Sequence, residues 1–237
     1  MAKSPRPTPR EASIIITKLA AARRQLDAAI RMTFANEDEL AIHTVAAAAY
    51  RILRDILANR GRDDFVDLIK QGTYLLALDL INGKLSERES DILKDPVSYG
   101  LISHVAQRIR DQGDQFTEDD APITFSAQSK QSHWRSVTKV AAFLKHADRD
   151  TNASLDLAEV KNDKLLILAS TAYSQITHAP TPEMFAYYRY YSISPESRAG
   201  LNAADTEIAD WLESLSPSRR RRACAQLMRI LKKEMAD

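Results

Sequence analysis

Ile15, Leu19, Ala22, Leu26, Ile30 and Phe34 recur every three or four residues, the spacing that stacks side chains on one face of a helix. They predict an amphipathic helix from Glu11 to about Asn36, where Asn36-x-x-Glu39 has the form of a capping box for the next helix. That second helix, about 37–59, is apolar around most of its circumference through Leu40, Ile42, Val45, Ala46, Ala49, Leu53 and Leu57, which predicts a central position. A third helix spans about 64–81 and stops at Asn82-Gly83. A short one follows Ser86-x-x-Glu89 and ends at Asp95-Pro96, and another closes at Gly113. Residues 113–130 read as the longest loop, acidic at Asp114, Glu118, Asp119 and Asp120. Helices then follow near 131–147, 156–178, 182–191, 201–214 and 217–235, the last opened by Ser216-Pro217.

No stretch alternates with period two between hairpin turns, and six glycines leave little turn chemistry for a β fold. The expected fold class is all-α, a multi-helix bundle of about nine or ten helices. Residues 1–10, with three prolines and three cations, cannot bury enough apolar surface to order alone. They are expected to form a disordered basic tail ahead of a single α-helical domain, 11–237.

Composition narrows the class of partner rather than naming one. The 237 residues carry 33 Lys and Arg against 32 Asp and Glu, a net charge of +1, so an anionic partner must be met by a local patch. The single cysteine, Cys224, excludes an internal disulfide, and no apolar run approaches the roughly 18 residues of a membrane span. The expectation is a cytoplasmic protein with no membrane partner.

The stretch "DRDTNASLDLAE", 148–159, concentrates oxygen ligands. Asp148, Asp150, Asn152, Ser154 through its backbone carbonyl, Asp156 and Glu159 fall at positions one, three, five, seven, nine and twelve. This spacing resembles an EF-hand loop, in which hard calcium is encircled by oxygens and the last carboxylate binds through both. Ala153 stands where that loop has glycine, and Asp156-x-x-Glu159 also reads as a helix capping box. The competing interpretation is a solvated corner between helices.

"FLKHADRD" and "AIHTVAAAAYRILRD" resemble segments of bacterial helical proteins with no assigned activity and, more distantly, the HEPN group of helical nucleases and nucleic-acid-associated modules. The resemblance implies an up-and-down bundle that dimerises and has RNA as its partner. HEPN nucleases pair an arginine with a histidine a few residues later, a fixed cation for phosphate charge and an imidazole for proton transfer. Here Lys139 is the cation upstream of His146, and no arginine has that spacing before any histidine. His146 and Lys139 are thus the catalytic candidates, with binding favoured over cleavage because a lysine cannot offer the guanidinium fork.

Arg219, Arg220, Arg221 and Arg222 open the last helix, where four successive cations oppose the helix dipole and cover every face. Such a run suits phosphate, the acidic loop of a second copy, or another acidic protein. "MFAYYRYYS" reads as a packed aromatic helix, and His43 as a satisfied core histidine, since no Glu-x-x-His or Cys-x-x-Cys accompanies it for zinc or iron. The leading expectation is a HEPN-like binding module contacting RNA or an acidic protein. The alternative is a calcium-responsive structural protein using 148–159.

Overall fold

The computed structural model describes residues 15–85, 87–146, 150–191, 211–212 and 214–234. Among them are nine α-helices and no strand: α1 Lys18–Ala35, α2 Glu39–Asn59, α3 Asp64–Asn82, α4 Glu87–Ile92, α5 Pro96–Gln112, α6 Ala127–Lys145, α7 Asn162–Thr177, α8 Pro182–Tyr191 and α9 Pro217–Glu234. The fold is all-α, as the periodicity predicts. The expected tail 1–10, the cap at Ser86 and the helix at 201–214 lie outside the described residues or mostly so.

Boundaries shifted where a side chain, rather than the apolar stripe, decided them. α1 begins at Lys18, not Glu11, because Thr17 Oγ1 accepts from the backbone N–H of Ala20 at 3.1 Å and supplies the cap. Ile15 is consequently 91% exposed instead of lying on the buried stripe. Asn36 does not cap α2; it closes α1 in a left-handed conformation with φ 60°, and Asp38 caps α2 through the N–H groups of Leu40 and Ala41. Asparagine tolerates that backbone better than any residue but glycine. α6 starts at Ala127, earlier than expected, because Ser126 caps it through Ser129 N–H at 3.1 Å.

The apolar side chains form two clusters. The larger joins α1, α2, α7, α8 and α9 around Leu26, Ile30, Leu53, Leu166, Met184 and Tyr187, all fully buried or nearly so. The smaller joins α3 and α5 to the segment after α5, which buries Phe116, Ala121 and Ile123 around two 3-10 turns. The expected acidic loop is thus a packed segment, and Asp119 is held by Arg62 at 3.3 Å while its carbonyl accepts from Lys70 at 2.6 Å. Polar and aromatic contacts link the clusters: the Tyr50 hydroxyl donates to Asp64, and Phe65 stacks on His133 with ring centres 4.1 Å apart.

α2 packs against α1, α7, α6 and α3, the central position its circumference predicts. Three helices distant in sequence are tied by buried acids. Glu183, 2% exposed, accepts from Arg31 at 2.6 Å and pairs with Lys232, while Thr181 Oγ1 donates to buried Asp27 at 2.7 Å. Burial pushes the Asp27 carboxyl above its usual range. No helix of the described residues is long and apolar enough to cross a membrane.

Candidate functional site

Helix α6 is unusual in its charge and its seat. Its 19 residues include Lys130, Arg135, Lys139 and Lys145 and no aspartate or glutamate. Of its side chains only Val140 is buried, with Trp134 and Val137 packed partly against the main cluster. Trp134 is covered on one face by the Arg54 guanidinium, 3.7 Å from the ring centre, a favourable cation–π contact. A helix seated this shallowly leaves a cleft along each flank.

The first cleft, of about 310 Å³, lies between α2, α6 and the start of α7. Lys139, Lys161, Lys164 and Glu159 line it with His43 and Ser136. Lys139 and Glu159 are paired at 2.5 Å, both exposed, so the lining retains two further lysines. His43 is 3% exposed. Its Nδ1 lies 3.0 Å from Asn162 Oδ1, and Asn162 Nδ2 donates to the Glu39 carbonyl at 2.9 Å. The amide is thereby oriented with its oxygen toward the ring, which places the imidazole proton on Nδ1. Burial lowers the His43 pKa and favours the neutral ring. Among the described residues, no group bonds to Nε2.

The expectation of a satisfied core histidine is therefore half met. The position is buried, but one ring nitrogen has no hydrogen-bond partner among the described residues. The sequence signal was available only in part: His43 falls on the apolar face of α2, whereas Lys161 and Lys164, which share its cleft, carry no motif.

The second cleft, of about 230 Å³, lies on the other flank and is lined by Tyr50, Arg51, Trp134, Lys145 and His146 among others. His146 is the C-cap residue of α6, partly exposed. Lys139 and His146 thus line different clefts, and Lys139 is engaged by Glu159.

The 148–159 stretch is placed as follows. Asp148 lies outside the described residues. Asp150 accepts from Asn152 N–H at 3.0 Å, and Asp156 accepts from Ala158 N–H at 2.9 Å. Asp156 caps only a 3-10 turn, Leu157–Glu159, and α7 starts at Asn162, so the expected capping box for α7 is not formed: Glu159 turns to Lys139 instead. Asn152 and Ser154 are exposed. Among the described residues, no group of three or more His, Cys, Asp or Glu is arranged to hold a metal.

Three of the four arginines have intramolecular acceptors, Arg222 Nε donating to the Ser218 carbonyl at 3.3 Å. Arg220 Nε donates to the Leu212 carbonyl at 3.0 Å, and Arg221 donates to Asn36 Oδ1 at the α1 terminus. Arg219 and Arg222 are exposed and edge an apolar cleft of about 840 Å³ containing Phe185, Trp211 and Leu227. Buried Cys224 in the same wall has its thiol pushed up to about 11, which keeps it protonated and poorly nucleophilic. Tyr187 of the aromatic run is fully buried and donates to Asp163 at 2.6 Å, a packing role.

Comparison with known protein families, with curated proteins and with solved structures finds no match to this chain.

Proposed function

We propose that this protein is a helical module that binds RNA through the surface formed by α6 and the start of α7. Arg135, Lys139, Lys145, Lys161 and Lys164 are the phosphate contacts in this reading. The observation that carries it is a helix with four cations and no acid of its own, lying shallowly between two clefts, with Lys130 paired to Asp63 and Lys139 to Glu159, in a chain whose net charge is only +1. Phosphate contacts supply most of the affinity for nucleic acid and need local positive charge, whatever the overall balance.

The last helix is the weaker surface. Arg220, Arg221 and Arg222 already have intramolecular acceptors, and withdrawing Arg221 would take from Asn36 Oδ1 the donor that ties α9 to the end of α1. His146 borders the α6 surface, shares its cleft with Arg51 and Lys145, and is a contact residue in this reading.

Fluorescence anisotropy with a labelled poly(U) RNA at several salt concentrations tests the proposal. The wild type should bind with an affinity that falls steeply with salt. The variant Arg135→Glu, Lys145→Glu should bind at least about tenfold more weakly, and its log–log salt slope should flatten by about 1.4, on roughly 0.7 per neutralised phosphate. Arg219→Glu, Arg222→Glu should change affinity by less than about twofold on the same reasoning. Salt-independent or absent binding overturns the proposal, and so does a loss confined to the Arg219, Arg222 variant.

A further inference from the structure

We infer that the His43 cleft receives one ribose of the bound RNA and reads its 2′-hydroxyl, an inference that rests on the RNA reading above. Three lysines against one carboxylate line this cleft, and Glu159 is already compensated by Lys139 at 2.5 Å. The lining therefore favours an anion. It disfavours a metal ion, although a neutral imidazole is otherwise a good ligand.

The histidine adds a second and more selective requirement. Asn162, held by its bond to the Glu39 carbonyl, accepts the Nδ1 proton, so Nε2 presents a lone pair and no hydrogen. That lone pair is buried and unmatched by any group among the described residues, a condition buried polar atoms rarely keep. What completes it must donate. A fully ionised phosphate offers only acceptors and leaves Nε2 unmatched. A ribose within an RNA strand offers both requirements side by side, a 2′-hydroxyl that donates to Nε2 and an adjoining phosphate for Lys139, Lys161 and Lys164. The 2′-hydroxyl is also the group by which a protein tells RNA from DNA.

Nε2 has almost no exposed surface, so access to it requires a displacement of the groups that cover it. Of the helices that line the cleft, α6 has the fewest buried side chains, Val140 alone, and is the wall inferred to move. His43 itself stays in place, since its ring is fixed by Asn162 and by the packing of α2 in the main cluster.

The test compares three polymers on the full-length protein by anisotropy: poly(U) RNA, its 2′-deoxy form and its 2′-O-methyl form, which keeps the oxygen but has no proton to donate. The wild type should bind the RNA about fivefold more tightly than either analogue, the range of one net neutral hydrogen bond. His43→Asn keeps an N–H for Asn162 and removes the Nε2 acceptor; it should bind all three alike, at the wild type's affinity for the deoxy form. His43→Gln sets an amide oxygen near the Nε2 position and should restore part of the preference. Circular dichroism melts identify any variant that fails to fold, and the wild-type comparison decides the matter without them. Equal binding of all three polymers by the wild type, or an undiminished preference in folded His43→Asn, overturns the inference and leaves the RNA reading standing. Absence of salt-dependent binding to every polymer overturns the reading itself.

Discussion

His43 and His133 carry a pH signature that follows from where their rings are held. Burial is the leading cause that lowers both pKa values, with the nearby Lys164 charge adding to it at His133. The unfolded chain takes up protons near the ordinary value of about 6.5, before the folded protein does. Stability from the neutral rings is therefore complete above that value and is lost as the pH falls toward the depressed folded values. Thermal unfolding followed from about pH 7 to about pH 5 should show a falling midpoint. The double variant His43→Asn, His133→Phe should lose less over the same window, the phenyl ring preserving the stack on Phe65. An equal fall in both proteins would show that these rings do not titrate as described. His43 was legible from the sequence as a buried residue, because the α2 stripe includes it. The bond to Asn162, 119 positions away, was not.

The joint between α1 and α2 turns on one backbone conformation. Asn36 sits at φ 60° and ψ 41°, where its N–H bonds back to the Met32 and Thr33 carbonyls, and its side chain accepts from Arg221. Asn36→Gly and Asn36→Val both remove the Arg221 acceptor, so the difference between them isolates the left-handed backbone. Urea unfolding should place Asn36→Val about 1–2 kcal/mol below Asn36→Gly; a difference near zero would mean the joint relaxes to another conformation. Asn36 was read from the sequence as an N-cap because asparagine serves either end of a helix. Competition with Asp38, two residues on, settled the matter, since a carboxylate at that point bonds two free donors of α2. The same ambiguity arose at Asp156 and Glu159, where a capping-box pattern was diverted by Lys139 of another helix.

Across the whole molecule, Glu183 joins α8 to α1 through Arg31 and to α9 through Lys232. Both cations are partly exposed, whereas the carboxylate is buried. Removing them with Arg31→Met, Lys232→Met strands a buried charge and should cost about 3–5 kcal/mol in urea unfolding. Adding Glu183→Gln to that pair should recover much of the loss, because the charge itself is then gone. If the triple variant is no more stable than the double, the penalty comes from lost packing of the long side chains and not from the charge.

Helix content, the central place of α2 and the ends at Gly83 and Gly113 were legible in the linear pattern, because periodicity and caps act over one or two turns of backbone. The charged groups followed a different rule. Arg220 and Arg221 read as surface cations, yet they became ties to neighbouring segments. Lys161 and Lys164 had no motif, yet they converge with Lys139, which the sequence pairs with His146, on one cleft. Which acceptor a long cationic side chain meets, and which lysines gather around His43, depend on contacts between segments tens of residues apart. Those contacts are set by how the apolar faces dock, and the charges are carried to their partners by that docking.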